Sequence, residues 1–239
     1  MRHFILYTAM LLIVSSCSTY QYLTVDSPQL TKNEGKQLTF ENDTLRLTYI
    51  FAGKDGPFVN IYNKTSQPLY VNWKKSAYIR NDQSVSLFNS NVMVLGYAHG
   101  KYHHTAYLTN ASSTNFTASF ALPEGVDFIP PATSISKELP QLGLTGSLET
   151  PMPDTVHDNL LAMNFANDIK FKQIRFAADS SPVRFKSYLT FSLGDKNPNE
   201  FSEINLFYVA EIYETASKPG DFVLYRQQGD QFYIKQRAQ

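Results

Sequence analysis

Alternation constrains this chain more than any other feature of it. In the stretch LRLTYIF, Leu45, Leu47, Tyr49 and Phe51 fall on one face of an extended strand, and Arg46 and Thr48 fall on the other. A helix would spread those apolar side chains around its axis, whereas a strand gathers them on one side. The pattern recurs in short runs separated by turn residues. GKDG (53–56) is a turn, PFVNIYN a strand, KTSQP a turn and LYVNW a strand, and SAYIR and SVSLF flank the turn NDQ as a hairpin. The C-terminal third continues with IKFKQIRFA, FKSYLTFSL, EINLFYVAEIY and the hairpin DFVLYRQQGDQFYIKQ. Phe and Tyr, both strong strand formers, number 17 and 15. In INLFYVAEIY apolar residues occupy both faces, Ile204, Leu206 and Tyr208 against Phe207 and Val209, which predicts a central strand covered on both sides. Short strands at this spacing belong to sandwiches and barrels. The expected fold is mostly β, an immunoglobulin-like antiparallel β-sandwich with elaborated loops and at most one or two short helices.

Three segments break the pattern. Residues 89–125 are rich in Ser, Thr, Asn and Tyr with weak periodicity, and read as a long loop holding one or two strands. In VDFIPPATSISK, Pro130 and Pro131 cannot donate ladder hydrogen bonds, so this segment is an edge strand or a strand entry. Residues 140–158 form loop, and HDNLLAMNFAND (157–168) is the best helix candidate.

The first residues carry a separate signal. Arg2 and His3 precede the apolar run FILYTAMLLIV (4–14). A membrane-spanning helix needs about twenty apolar residues, and this shorter run fits the core of a secretory signal instead. VSSC (14–17) resembles a bacterial lipobox, an aliphatic and two small residues ahead of a cysteine. The resemblance implies cleavage before Cys17, alkylation of its thiol by diacylglycerol and acylation of the new amino terminus. Two or more acyl chains hold a protein firmly at a membrane where one does so marginally. The alternatives are an ordinary signal peptide with a chance cysteine and a buried N-terminal strand. On the lipoprotein reading residues 1–16 are the signal, 17–37 the lipidated cysteine and a polar tether, with a short strand at Tyr22–Val25, and 38–239 the β-sandwich domain. Cys17 is the single cysteine, so its lipidation leaves no thiol for disulfides, catalysis or metal binding. Lys plus Arg and Asp plus Glu both number 21, and this balance gives no concentrated positive charge for nucleic acid.

The mature chain resembles a family of uncharacterised lipoproteins from Bacteroidota. The segments that carry the resemblance are CSTYQYLTV (17–25), FENDTLRLTY (40–49), VNIYNKTSQPLYVNWKKSAYI (59–79), FIPPATSISK (128–137), SPVRFKSYLTFSL (181–193) and FYVAEIY (207–213). It implies location and architecture and assigns no activity. Given that origin, DTL (43–45) and DTV (154–156) resemble an Asp-Thr-aliphatic motif for O-glycosylation, at Thr44 and Thr155. STYQY (18–22) lacks the acidic cluster associated with surface export, which favours an outer-membrane lipoprotein facing the periplasm over a surface-displayed one.

Candidate chemistry is sparse. HGKYHH places His99, His103 and His104 together, the residue type that ligates zinc, but Gly96, Gly100 and the neighbouring tyrosines argue against a helix that would bring His99 and His103 to one face, and no Asp or Glu completes a shell. SISK (134–137) matches Ser-x-x-Lys, yet in a strand Ser134 and Lys137 point to opposite faces. GDKNPNE (194–200) spaces Asp195, Asn197 and Asn199 like a calcium loop, with Glu200 where glycine is expected, and reads as a turn between strands. Candidate ligand-contact residues are Tyr97, Tyr102, Tyr107 and Trp73, the last weighed against burial in the core. No cofactor is implied.

The reading that follows is a lipid-anchored cell-envelope protein, a non-catalytic binding or scaffolding module whose partner is an envelope protein or glycan. Two other readings stay open. One is a surface subunit or adhesin pairing by strand addition through an edge near Phe128–Lys137. The other is a hydrolase whose carboxylates meet only in the fold.

Overall fold

The computed structural model describes residues 18–52, 57–88, 93–103, 111–121, 125–139, 148, 150–153, 157–159, 169–194 and 199–236. In chain order the strands are β1 (Thr19–Asp26), β2 (Thr31–Lys32), β3 (Leu38–Glu41), β4 (Leu45–Ile50), β5 (Phe58–Asn63) and β6 (Leu69–Asn72). A single 3-10 turn, Trp73–Lys75, leads to β7 (Ala77–Arg80), β8 (Gln83–Ser86), β9 (Met93–His103), β10 (Ala111–Ala121), β11 (Val126–Ile129) and β12 (Ser134–Glu138). The chain finishes with β13 (His157–Asn159), β14 (Ile169–Arg175), β15 (Arg184–Leu193), β16 (Asn199–Thr215) and β17 (Gln231–Gln236).

Every pairing among these strands is antiparallel. The larger sheet follows the order β11-β6-β15-β16-β1-β17, with β7 and β8 beside β15, and β14 and β13 beside β16. The smaller sheet follows β12-β5-β4-β3-β2, and β9 pairs with β10 as a separate hairpin. The two sheets face each other across an aromatic seam. Tyr49 of β4 lies 4.8 Å from Phe207 of β16, and Phe51 lies 5.9 Å from Phe185 of β15 and 5.5 Å from Phe207, ring to ring. Leu45, Leu47 and Tyr49 are fully buried and Arg46 is exposed, as the alternation predicts. The protein is therefore a mostly β, antiparallel, two-layered structure. Among the described residues its sheets have ten, five and two strands, against about seven to nine strands in all in an immunoglobulin domain.

Three expectations change. Residues 19–26 are not tether. β1 lies between β16 and β17, with Leu23 opposite Ile212 on one side and Phe232 on the other. Leu23 and Val25 are fully buried against the inner core, while Tyr20 and Tyr22 pack on the outer side with Phe171, Tyr213, Phe222 and Tyr225. The segment looks polar because its polar groups find remote partners: Gln21 Nε2 donates to Glu214 Oε2 (3.1 Å), and the Tyr22 hydroxyl donates to the Ser217 carbonyl (2.7 Å). Second, His157–Asn159, the start of the predicted helix, is strand paired with β14; residues 160–168 lie outside the described residues. Third, β16 is not covered evenly on its two faces. Phe207 and Val209 are buried, Leu206 and Tyr208 are half-buried, and Ile204 is 49% exposed. The long segment 89–125 contains the β9–β10 hairpin, in register from Met93↔Ala121 to His103↔Ala111.

Candidate functional site

The partly open face of β16 is where the structure has a groove. Strand alternation in RFKSYL turns Phe185 and Ser187 inward, where both are buried, and leaves Arg184 and Lys186 exposed on the outer face. Register then assembles two rows. Lys186 lies between Ile79 of β7 and Leu206 of β16. Arg184 pairs with Tyr208, whose other neighbour is Asp26 of β1. Directly opposed residues in a sheet sit about 5 Å apart, so each row is a continuous strip of side chains. The two-residue turn Asn81–Asp82, with φ of 49° and 61°, has the left-handed backbone of a tight hairpin and forms one rim. Pro28 and Ala178 form other parts of the wall, and the groove, open to solvent on one side, has a volume of about 620 Å³, within the range of small-ligand sites.

The electrostatics of the groove are lopsided. Asp82 is the one carboxylate among its lining residues, against the two cations Arg184 and Lys186. The Arg184 guanidinium donates to the backbone carbonyl of Asp179 (3.4 Å). Lys32, Lys64, Lys75 and Arg175 each lie within 4 Å of a carboxylate; Arg184 and Lys186 do not, among the described residues. At the far end Lys32 Nζ bridges Asp230 (2.8 Å) and Asp26 (3.4 Å), so one cation partly offsets two carboxylates there. Burial and then the Asp26 charge push the Tyr208 phenol up, with Lys32 opposing, so it stays a neutral hydrogen-bonding group. Two exposed cations over Ile79 and Leu206, beside a phenol, can hold an anionic group while its apolar neighbours cover the floor.

The arrangement is poorly suited to hydrolysis by paired carboxylates, which requires two of them across one bond. Glu203 is held above the usual carboxylate range by burial, with the Asn42 amide donating to it (3.0 Å) and opposing the shift. It does not line the groove.

The residues singled out from sequence are scattered. Trp73 is 2% exposed, so it is a core residue rather than a sugar platform. Its indole N–H donates to Asp127 (2.7 Å), and Lys137 Nζ sits 5.1 Å from the ring centroid. Lys137 therefore turns to Trp73 while Ser136 accepts from Asn60 and Ser134 is exposed, and no Ser–Lys dyad forms. Tyr97, His99, Tyr102 and His103 lie on β9, opposite Thr117, Asn115, Ser112 and Ala111. Four residues of strand span about 13 Å, so the backbone does not bring His99 and His103 together as a helical turn would. Tyr107, His104, Thr155 and Cys17 lie outside the described residues. Thr44 is half-buried in the β3–β4 turn, with its N–H bonded to Asn42 Oδ1 (2.9 Å). Glu200 is paired with Lys75 (2.6 Å), and Leu193 and Asn199 face each other in register across the β15–β16 turn, whose residues 195–198 lie outside the described residues. Among the described residues no three His, Cys, Asp or Glu side chains are placed to hold a metal ion.

Sequence reasoning missed the groove. Arg184 and Lys186 were legible as the exposed face of a strand, but nothing local pairs them with Ile79 or Pro28. No family model, curated protein or solved structure matches the chain. No helix among the described residues is long and apolar enough to cross a membrane.

Proposed function

We propose that this chain is a lipid-anchored envelope protein whose sandwich binds an acidic segment of another envelope protein in the groove between β7, β15 and β16. The observation that carries the binding role is the pair Arg184 and Lys186, two residues apart, exposed, and without a carboxylate partner among the described residues, over an apolar floor. A peptide suits the site, because Ile79, Leu206 and Pro28 offer aliphatic contact, and of the three aromatic residues that line it Phe185 and Phe207 are 2% exposed, which leaves little ring surface for a sugar to stack on. The envelope location is supported by the short apolar leader and the VSSC sequence ending at Cys17.

The test is a titration of the soluble chain, residues 17–239 with Cys17→Ser, against a glutamate-rich peptide and against polygalacturonate. Exposed charge pairs are each worth up to about 1 kcal/mol. The variant carrying Arg184→Ala and Lys186→Ala is therefore expected to bind the peptide about tenfold more weakly, and salt to weaken the parent chain's binding. Peptide affinity untouched by both substitutions would overturn the reading, and preference for polygalacturonate would replace peptide by glycan.

A second reading, strand addition, is favoured by one observation. β11 is the terminal strand of the larger sheet, and it carries Phe128 (52% exposed), whose ring lies tilted against Tyr70 at 5.4 Å. β12 ends the smaller sheet in the same way. Both strands fall in the segment 126–138, where Pro130 and Pro131 predicted an edge. Exposed terminal strands are templates for pairing with another chain.

A further inference from the structure

We infer that the end of the sandwich around Thr19 sits directly on the membrane surface, without a spacer, and that the anchor strand holds the groove a strand's length away from the lipid. The inference rests on the lipid-anchor reading above and adds to it the contact surface and the orientation.

The geometry is covalent before it is anything else. Cys17 is separated from the first residue of β1 by Ser18 alone. Consecutive Cα atoms are 3.8 Å apart, so the acylated residue lies within about 8 Å of Thr19. β1 cannot peel away to act as a leash. It is hydrogen-bonded on both edges, from Tyr20↔Thr215 to Asp26↔Tyr208 and from Thr19↔Gln236 to Thr24↔Gln231, and it buries side chains on both faces. A lipid drawn into the bilayer therefore brings a rigid sheet end with it.

That end has a definite composition. Gln236 is the register partner of Thr19, Lys235 and Thr215 are partners of Tyr20, and Phe171 is the partner of Thr215. Lys235 on β17 is exposed, as is Lys170 on β14, with β1 and β16 between them in the sheet. Lys218 and Asp221 follow in the loop after β16, and Asp158 and Glu214 lie in the same part of the sheet, so the charges among these residues are mixed.

The opposite end of β1 is the groove. Seven residues from Thr19 to Asp26 span about 23 Å, and Asp26 is the register partner of Tyr208. Glu200 lies eight residues further along β16, about 26 Å more at most. A partner in the groove must therefore project well clear of the bilayer.

The single cysteine makes this testable in the full lipidated chain, because the lipid consumes the Cys17 thiol and any introduced cysteine is then the sole free one. Nitroxides are placed through Gln236→Cys, Lys186→Cys and Glu200→Cys. Each protein is reconstituted in phosphatidylethanolamine–phosphatidylglycerol vesicles containing a nickel-chelating lipid. Relaxation enhancement by nickel is expected to be strong at 236, weak at 186 and lost at 200. A long Gly/Ser insert between Ser18 and Thr19 is expected to flatten that gradient. Equal enhancement at the three positions, or a gradient unmoved by the insert, would overturn the inference. Vesicle flotation separates this from failure of the anchor: a chain that floats no better than its Cys17→Ser variant overturns the lipid reading itself, whereas flotation with a flat profile overturns the orientation alone.

Discussion

The Tyr49 hydroxyl lies 2.9 Å from Ser187 Oγ and accepts from the Asn205 amide at 3.0 Å, with all three side chains buried between the sheets. Each of these groups satisfies another, so the trio carries its polar atoms without an open desolvation penalty. Replacing Tyr49 by Phe keeps the ring against Phe207 and strands the two partners. Unsatisfied buried polar groups cost about 1–3 kcal/mol, and urea denaturation of Tyr49→Phe is expected to show a loss of that order with an unchanged m-value. The position of Tyr49 on the inner face is legible in LRLTYIF, but its partners are not: Ser187 and Asn205 are 138 and 156 residues away. Trp73 shows the same asymmetry. Its burial at a strand end was one of two readings of WKK, and the structure decides between them by supplying Asp127 for the indole N–H.

At the scale of elements, β1 separates this fold from the plan read off the sequence. STYQYLTVD lacks a clean one-sided apolar stripe because both of its faces are covered, by Leu23 and Val25 inside and by the aromatic cluster outside. A tether would tolerate any substitution there. The strand does not: Leu23 sits in both ladders, and proline at this position loses its N–H and clashes with the neighbouring chain. Leu23→Pro is expected to abolish cooperative thermal unfolding as followed by circular dichroism. A normal transition in that variant would restore the tether description. The β15–β16 hairpin is the opposite case. Both of its strands were legible as runs, and register alone turned the exposed residues of one and the half-buried residues of the other into a groove.

Across the whole molecule, tyrosine is spent in the interior. Burial pushes the phenols of Tyr22, Tyr49 and Tyr78 up, and that of Tyr213 up to about 12. An unfolded tyrosine titrates near 10. Because the folded values are higher, the neutral phenols contribute stability that is fully present below about pH 10 and lost as pH rises through the folded values. The urea midpoint is expected to fall steeply above about pH 10, with tyrosinate absorbance appearing together with unfolding; tyrosinate forming at ordinary pH in a folded chain would contradict the burial.

The sequence by itself determined the strand-rich, antiparallel character of the protein, most of the strand positions and the edge near Pro130. The strands follow from the period of two and the edge from the missing N–H of Pro130 and Pro131, both of which are properties of neighbouring residues. It also carries the apolar run 4–14 and Cys17, on which the proposed envelope reading stands. Tertiary structure decided which strand is covered on both sides, where Trp73 points and that Arg184, Lys186, Ile79 and Tyr208 share a surface. Those outcomes depend on which strands pair and in what register, and pairing is settled by contacts between residues far apart in the chain, such as Gln21 and Leu148, 127 residues apart.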